Sequence, residues 1–282
     1  MPVAIVTDST SDIEPAQARA SGVTVVPLFV VFGERSYKDY VELSREEFYK
    51  KLQSERVLPI TSQPTAAMFE AAYAPSIEAG DDVLAIVISS QLSGTINAAR
   101  AGAARFDAGR VEVYDSKSVA GGLGIMVLHA RALAQQGKSL SQIVAALDAW
   151  RETERFYACL PDLSHLQRTG RIGRARAALG TMMKIVPVLT LKDGQVAAEA
   201  QVRTFARAQE TMLDLIIKAA PPASQAQFVV MHTNVGELAA SVAAKLRERL
   251  PVEPVALEIW EAGPVIATHG GPGAVGVFAA KA

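Results

Sequence analysis

The chain has 282 residues, of which 50% are hydrophobic and 20% are charged, enough apolar material for one large domain or two ordinary ones. A formal net charge of −1 argues against the strongly basic balance of nucleic-acid-binding and membrane-surface proteins. The single cysteine, Cys159, rules out an intrachain disulfide and lies in an apolar run, where inert packing is expected. With no leader-like start and no long apolar run, we expect a cytoplasmic protein without membrane insertion.

Short apolar strands alternate with helical patterns over the first 153 residues. Continuous apolar runs predict strands at 3–6, 83–88 and 111–114. Amphipathic patterns predict helices at 65–79, 93–106, 119–136 and 141–150. This order predicts a parallel-sheet α/β lobe over residues 1–153. Residues 23–40 differ, because β-like runs flank Gly33-Glu34 and predict a hairpin arm added to that lobe.

The pattern changes after residue 153. Strands are predicted at 156–160, 185–191, 195–201, 228–232, 255–259 and 274–279, and helices at 207–218 and 236–249. Lys192-Asp193-Gly194 is typical of a hairpin turn between two of these strands. Residues 154–282 are therefore expected to form a second, mixed-sheet α/β lobe. Two lobes create a cleft, and clefts are where ligands usually bind.

Small hydroxyl residues recur where a predicted strand gives way to a helix. The segments are Thr61-Ser62-Gln63-Pro64, residues 88–95 with the sequence Ile-Ser-Ser-Gln-Leu-Ser-Gly-Thr, and residues 115–118. Helix starts leave backbone N–H groups unpaired, so such segments can hold an anion without a metal. Gly94 would allow a ligand to approach the backbone closely. The alternative is that these hydroxyls are ordinary helix caps.

The first strand is followed by Asp8, Ser9 and Asp12. Ligands of α/β sheets bind beyond the carboxyl ends of strands, so Asp8 or Ser9 could line a pocket. Asp12 is equally suited to cap a helix that begins near Pro15, since proline favours the first helical turn.

Two features of the second lobe point to an anionic partner. Residues 263–273 form a glycine-rich segment in which His269 is expected to be an exposed ring on a tightly turned loop, able to donate a hydrogen bond to an anion. Residues 165–207 carry eight Lys or Arg against two acidic residues, a local net charge of +6. This basic stretch suits an anionic ligand or an acidic partner protein, although an ordinary solvated surface is an equal alternative.

Several apparent motifs fail on their context. Residues 271–276 match the dinucleotide pattern Gly-x-Gly-x-x-Gly, but they leave no room for the helix and acidic residue that should follow. Gly137-Lys138-Ser139 lacks the first glycine and the preceding strand of a phosphate-binding loop. No His, Cys, Asp and Glu grouping has metal-ligand spacing, and no nucleophile, base and orienting residue are evident. We therefore expect no metal, no cofactor and no catalytic residues.

Six groups of residues occur in a characteristic order along nearly the whole chain. They are 7–12 (Thr-Asp-Ser-Thr-Ser-Asp), 61–64, 88–95, 115–116 (Asp-Ser), 170–172 (Gly-Arg-Ile) and 263–264 (Gly-Pro) with 269–273 (His-Gly-Gly-Pro-Gly). In this combination the sequence resembles the DegV family of bacterial fatty-acid-binding proteins. Each segment alone is weak evidence, whereas the set is quite specific.

The resemblance implies a two-lobed α/β protein that binds one long-chain fatty acid in a tunnel between the lobes. Matched position by position, the resemblance assigns the carboxylate to Thr61, Ser62, Ser93 and Gly94, with His269 close by. No counter-ion is expected at that head group.

The resemblance also implies a partner, a fatty acid kinase that phosphorylates the bound carboxylate. Arg171 and Arg203 match basic positions that face this partner or the entrance for the carboxylate. The acyl tail would be lined by scattered apolar residues, with Met68, Phe69, Met126, Met182 and Met183 as candidates, although core packing is an alternative for each of them.

Two other functions remain open from the sequence. The first is an acyl- or phosphoryl-transfer enzyme that uses Ser93 as the nucleophile and His269 as the base. The second is a regulatory module whose basic face docks on an acidic protein. A carrier that is not itself an enzyme is the preferred interpretation, because no acidic residue is evident to orient His269.

Overall fold

The computed structural model describes residues 1–55, 57–179 and 185–282. The chain forms two compact units. The first unit contains Met1–Ala149 together with the short segment Gly263–Val265, and the second contains Trp150–Ala262 and Ile266–Ala282. The predicted division into domains 1–153 and 154–282 stays a prediction.

The first unit is built mainly around parallel strands. In chain order its elements are β1 (Val3–Asp8), α1 (Pro15–Ser21), β2 (Val23–Val26), β3 (Phe29–Phe32), β4 (Arg35–Lys38), α2 (Arg45–Ser54), β5 (Ile60–Ser62), α3 (Ala66–Glu78), β6 (Asp82–Val87), α4 (Thr95–Ala103), β7 (Val111–Asp115), α5 (Ala120–Gln135) and α6 (Leu140–Arg151). The last two residues of α6 are grouped with the second unit. Four strands form a parallel sheet in the order β2-β1-β6-β7.

The central strand of the parallel sheet, β6, coincides with one of the apolar runs that predicted the strands. Residues 83–87 of β6 are completely buried, as expected for a central strand with helices on both faces. One of these faces packs against Phe69 and Tyr73 of α3 and against Ile96 and Ala99 of α4. The predicted parallel α/β architecture is confirmed, and this sheet places the carboxyl ends of β1, β6 and β7 side by side.

A separate three-stranded sheet, in the order β4-β3-β5, accompanies the parallel sheet in the first unit. Its strands β3 and β4 form an antiparallel hairpin around Gly33-Glu34, with Gly33 at a φ of 59°. Residues 23–26, which we had assigned to the same arm, instead pair with β1 in the parallel sheet. Pro27 follows them and cannot donate a ladder hydrogen bond, which is consistent with a strand that ends there.

The second unit is organised around a mixed sheet. Its strands and longer helices are β8 (Arg155–Cys159), α7 (Ser164–Arg168), β9 (Val186–Lys192), β10 (Gln195–Val202), α8 (Phe205–Ala219), β11 (Ala226–His232), α9 (Gly236–Arg249), β12 (Ala256–Glu261), α10 (Pro264–Gly270) and β13 (Val275–Lys281). The strand order is β10-β9-β8-β13-β11-β12, and only β11 and β12 run parallel. The predicted mixed sheet is confirmed.

Helices α8 and α9 bury the apolar side of this sheet. Met212 and Leu213 of α8, Leu246 of α9 and Phe228 of β11 are fully buried in one cluster. Asp193 and Gly194 both have positive φ, at 52° and 78°, which is the backbone of a tight hairpin turn between β9 and β10. The sequence predicted this turn from the Asp-Gly pair.

The close packing of α3 on α4 leaves no room for a side chain at Gly102, and a substitution tests this. A Cβ atom at Gly102 would lie 2.8 Å from the Ala66 carbonyl oxygen and 2.9 Å from both the Glu70 amide nitrogen and the Phe69 Cβ. Alanine favours a helix by about 1 kcal/mol over glycine. Overpacking against a backbone typically costs about 1–3 kcal/mol. The net effect of the two terms is a loss, so we expect Gly102→Ala to lower the free energy of unfolding by up to about 2 kcal/mol, measured by urea denaturation.

Gly236→Ala provides the matched control for this substitution. Gly236 opens α9, and the nearest atoms to an added Cβ lie 3.9 Å away on His232. This variant should be as stable as the wild type or slightly more stable. If Gly102→Ala behaves in the same way, the close helix contact does not limit stability.

Candidate functional site

Three polar segments meet beyond the carboxyl ends of β1, β6 and β7. The Asp8 carboxylate accepts hydrogen bonds from the Thr10 amide (2.9 Å) and the Ile88 amide (2.8 Å), so it joins the ends of β1 and β6. The Ser89 amide donates to the Ser118 carbonyl oxygen at 2.9 Å, which joins the ends of β6 and β7. The three segments therefore lie together at one edge of the sheet.

Ser93 and Gly94 lie in a tight turn that opens α4. The Ser89 carbonyl oxygen accepts from the amides of Leu92 (2.9 Å) and Ser93 (3.2 Å). The Ser93 hydroxyl oxygen accepts from the Thr95 amide at 3.3 Å and lies 2.9 Å from the Thr95 hydroxyl. Gly94 is the N-cap residue and has no side chain to bond the first-turn amides. Ser93 and Gly94 therefore stand at a helix start, as the sequence indicated.

The absence of a side chain at Gly94 makes room for Gln63. A Cβ atom at Gly94 would lie 2.3 Å from the Gln63 Oε1 atom, so the Gln63 amide group already occupies that face of the glycine. We had expected a ligand to use this approach. Gln63 belongs to the segment 61–64, and the sequence gives no sign that its side chain reaches Gly94, 31 positions further along the chain.

Thr61 and Ser62 do not precede a helix directly, which corrects our expectation. Both lie on β5, where Thr61 pairs with Val30 and Ser62 pairs with Phe29. Thr65, not the earlier hydroxyls, caps α3 by accepting from the Met68 amide at 3.3 Å. The short β5 strand nevertheless leads straight into Gln63, so Thr61 and Ser62 belong to the same neighbourhood as Gly94 within the first unit.

A turn after β7 supports the segment that contains Ser93. Asp115 Oδ1 accepts from the amides of Ser90 (3.0 Å) and Lys117 (3.2 Å). The Lys117 Nζ atom lies 2.8 Å from Asp115 Oδ2 and donates to the Ser90 hydroxyl at 3.2 Å. Lys117 has a φ of 56°, in the left-handed region. We call residues 61–63, 89–95 and 115–118 the strand-end site.

The charge balance of the strand-end site differs from the neutral one that we expected. Burial opposes ionisation of Asp115, but hydrogen bonds from Lys117 and Ser90 outweigh it and hold the pKa of this carboxyl below its usual range. Asp115 is therefore an anion paired with the Lys117 ammonium group. The site contains a cation after all, and its charge is already matched by an internal carboxylate.

His269 belongs to the second unit and is not on a loop. Residues Pro264–Gly270 form α10, and the Nδ1 atom of the His269 ring is buried. Burial, together with the nearby charges of Arg171, Arg168 and His165, lowers the pKa of His269 to about 3. The prediction of an exposed ring is wrong, and the ring is a neutral imidazole at physiological pH.

The two arginines assigned by the resemblance occupy different surroundings within the second unit. Arg171 is partly buried, donates to the Thr169 carbonyl oxygen at 2.5 Å and lies close enough to His269 to affect its pKa. Arg203 is exposed, between β10 and the Thr204 that caps α8. The structure thus brings Arg171 and His269 together. The predicted proximity of His269 to Ser93 stays a prediction.

The residues that were predicted to line the acyl tail differ in how deeply they are buried. Phe69 and Met126 are fully buried, and Phe69 lies in the core between the parallel sheet and its helices, so packing accounts for it. Met68 is partly buried against the same core. Met182 and Met183 lie outside the described residues.

Other potential functional groups are explained by the fold. Burial raises the pKa of the Cys159 thiol to about 12, as expected for an inert core cysteine. Within residues 1–55, 57–179 and 185–282, no three His, Cys, Asp or Glu side chains are arranged to hold a metal ion. Over the same ranges, no helix combines the length and apolar character required to cross a bilayer.

Asp12 does not cap α1, contrary to one expectation from the sequence. The N-cap position of α1 is Glu14, which makes no side-chain capping hydrogen bond. The Asp12 carboxylate instead accepts from the Gly263 amide at 2.9 Å. Asp8 caps the short 3-10 helix Ser9–Ser11 and is completely buried, so its role is structural.

Comparison with known proteins gives a consistent result over the full length of the chain. The family model described as "Uncharacterised protein, DegV family" matches residues 2–282. A DegV domain-containing protein from Deinococcus radiodurans is 39% identical over 278 residues, which cover 98% of each chain.

Solved structures agree with the family match. A fatty-acid-binding DegV family protein from Thermus thermophilus superposes with a TM-score of 0.92 at 34% identity, and all of both chains is covered. DegV from Bacillus subtilis, described as a fatty acid binding protein, superposes with a TM-score of 0.90 at 32% identity, again over all of both chains. On this evidence the chain belongs to the DegV family.

Proposed function

We propose that this protein binds one long-chain fatty acid and holds its carboxylate at the strand-end site. The observation that carries this proposal is the turn at the start of α4, where Ser93 and Gly94 present a hydroxyl and backbone amides at a helix N-terminus. Helix N-termini favour anions through their unpaired N–H groups and the helix dipole. The fatty acids described for the relatives at 34% and 32% identity support the same ligand class.

The energetics of a fatty acid suit such a binding protein. A sixteen-carbon tail gives roughly 0.8 kcal/mol per buried CH₂ group, or about 12 kcal/mol before costs. Ordering the tail and losing free motion removes a large part of this energy. The carboxylate must not add a further penalty, because a desolvated anion without hydrogen bonds is very unfavourable. Two or three donors, each contributing about 1.5–3 kcal/mol to a charged acceptor, are sufficient to offset that penalty.

The donors that we assign to the carboxylate are hydroxyls and amides. Ser93, Thr61 and Ser62 supply the hydroxyls, and the backbone at Gly94 supplies an amide. Lys117 is held by Asp115, so its positive charge is largely neutralised before any ligand binds. A head group bound mainly by neutral donors stays reactive, because it is not locked into a tight ion pair.

His269 contributes as a neutral donor in this proposal. Its pKa of about 3 means that the ring carries no charge at neutral pH, while one ring nitrogen still bears a hydrogen. Such a ring can donate a single hydrogen bond to a carboxylate or to an acyl phosphate. Arg171 lies near this ring, and we assign it to contact with an approaching phosphate group.

A partner kinase would act on the bound carboxylate. The proposed partner phosphorylates the fatty acid while this protein holds the tail, and the basic residues of the second unit provide its docking surface. Arg203 is suited to test this docking surface, because it is exposed. Arg203→Glu should slow acyl-phosphate formation by a purified fatty acid kinase with ATP, while the fatty acid affinity of the variant is unchanged.

The binding function is tested directly by identifying the bound molecule. The recombinant protein is denatured and extracted, and the extract is analysed by mass spectrometry for fatty acids. We expect about one long-chain fatty acid per chain after delipidation and reloading. A protein that neither retains fatty acid nor takes it up after delipidation would contradict the proposal.

A transfer enzyme that uses Ser93 and His269 is less well supported. A general base works best when its pKa is near the operating pH, and an imidazole with a pKa of about 3 is a weak base for a serine hydroxyl. Incubation with acyl esters and acyl phosphates separates the two functions. A carrier should release no free product above the uncatalysed rate.

Ser93→Ala tests the carboxylate contact. Loss of one hydrogen bond to a charged group costs about 1.5–3 kcal/mol, so the dissociation constant for a fatty acid should rise roughly 10- to 100-fold. Ser54→Ala is the matched control, because Ser54 is exposed at the end of α2 and should leave affinity unchanged. Fluorescent fatty acid titration measures both. Equal affinities for the two variants would remove Ser93 from the site.

Asp115→Ala tests the support of the same turn. This change removes the acceptor of the Ser90 and Lys117 amides and frees the Lys117 ammonium group, so fatty acid affinity should change severalfold. Asp115→Asn retains one acceptor oxygen and should restore the turn, while losing the ion pair. Affinity measured in low and high salt separates the two effects. If both variants bind like the wild type, the turn does not shape the site.

His269→Gln tests the protonation state of the ring. Because the pKa of His269 is lowered in the folded protein, the unfolded chain binds a proton that the folded chain does not. The stabilisation is therefore present above about pH 6.5 and is lost as the pH falls towards 3. His269→Gln removes this dependence. Subtracting the unfolding free energy of the variant from that of the wild type at each pH removes the contribution of all other titrating groups. If this difference is the same from pH 7.5 to 4.5, the assignment is contradicted.

A further inference from the structure

The short segment Gly263–Val265 is contacted by residues far away in the sequence. The Gly263 amide donates to Asp12 Oδ1 at 2.9 Å, across 251 positions of the chain. Tyr40 lies against the same glycine, so closely that a Cβ atom at position 263 would lie 2.6 to 2.7 Å from three of its ring and hydroxyl atoms. The Tyr40 hydroxyl also donates to Asp12 Oδ1 at 3.2 Å. Position 263 must therefore be glycine for this contact to form.

A second buried carboxylate, Asp39, faces the start of α10. Its side chain is 1% exposed and neither oxygen makes a hydrogen bond of normal geometry, although the Val265 amide and the Ser9 hydroxyl lie near it. Val265 is in the first turn of α10, where backbone N–H groups have no partner within the helix. Asp39 therefore brings a buried carboxyl group near a helix N-terminus from another part of the chain.

The two carboxylates share one nearby cation. Asp12 and Asp39 repel each other, and Arg45 attracts both. Arg45 is also committed elsewhere, since it donates to the Tyr40 hydroxyl at 2.9 Å and forms an ion pair with Glu14. Glu14 adds further repulsion to Asp12. One guanidinium group thus faces three carboxyl groups, two of them buried, together with the Tyr40 hydroxyl.

The backbone is also unusual at both positions that hold the segment. Asp12 has a φ of 53° and Tyr40 a φ of 61°, and both side chains would prefer a negative φ. Residues kept in such conformations persist only where the surrounding structure over-determines them, and they concentrate at functional sites. The arrangement of Asp12, Asp39, Tyr40 and Arg45 is therefore more than ordinary packing.

We propose that Asp12 and Asp39 form a proton-dependent clamp that positions the start of α10, the helix on which His269 lies. They are positioning residues and do not touch a ligand. The functional consequence of the clamp for His269 rests on the proposed function. The clamp itself is defined by Gly263 and Val265.

The direction of the pH dependence follows from burial. Burial raises the pKa of Asp12 to about 7 and that of Asp39 well above its usual value, although Arg45 and the nearby amides oppose the shift. The closed clamp therefore holds a proton that an open, solvated carboxyl releases. The clamp is tightest below about pH 4 and loosens as the pH rises through 7.

Amide hydrogen exchange of residues 262–266 tests the clamp in the full-length, ligand-free protein. After correction for intrinsic base catalysis, protection in the wild type should fall between pH 5 and 8, by up to tenfold per pH unit for one proton. Asp12→Asn and Asp39→Asn keep the acceptor shape without the charge, so each should retain protection and flatten its pH dependence. Asp12→Ala should lose protection at every pH. Asp107→Asn, at an exposed position, is the control and should keep the wild-type slope.

Two results would overturn the proposal. One is a wild-type protection that does not change with pH, and the other is the same slope in the Asn variants as in the wild type. If the Asn variants fail to fold, the carboxyl carbons of Asp12 and Asp39 are titrated by NMR in the wild type, and midpoints near 4 for both would refute the clamp. Because no fatty acid is present, failure of the clamp and failure of the binding proposal are distinguished.

Discussion

The backbone amides beyond the parallel strands are the constraint on which this site depends. Where β1, β6 and β7 end, their ladder hydrogen bonds end too, and buried N–H groups need other acceptors. Two carboxylates meet this need: Asp8 joins the ends of β1 and β6, and Asp115 joins the segment after β6 to the turn after β7. The turn that carries Ser93 is therefore held by the hydrogen bonds of Asp8 and by charge-assisted hydrogen bonds to Asp115.

The sequence predicted those parts of the fold that have a local signature. Continuous apolar runs identified β1 and β6, because burial on both faces restricts the allowed residues, and a near-apolar run identified the less buried edge strand β7. The Asp193-Gly194 pair identified a hairpin, because positive φ also restricts the allowed residues. Thr61 and Ser62 were misassigned for a related reason. A hydroxyl before a proline suggests a helix cap, whereas a three-residue strand such as β5 is too short to give a pattern.

Contacts across the chain could not be predicted in this way. Glycines and prolines around His269 suggested a loop, yet Pro264–Gly270 form α10, and Asp12 and Asp39 lie near its start. Nothing in the sequence near Asp12 indicates a partner 251 positions away. The same holds for Gln63 on Gly94. A single sequence records which residues are small, polar or apolar, but it does not record which distant groups complete their hydrogen bonds.

The charges near the site divide into two kinds, and the division bears on the proposed carrier role. Lys117 is balanced by Asp115, whereas burial and, to a lesser extent, the nearby cations keep the His269 ring neutral. A free, unbalanced cation at a carboxylate site would bind the head group tightly and would lower its reactivity towards a phosphoryl donor. A site of mainly neutral donors instead leaves affinity to the tail, because each buried CH₂ group contributes without affecting the carboxylate. Tight retention of the acid and access to its reactive end are then compatible, since they depend on different parts of the ligand.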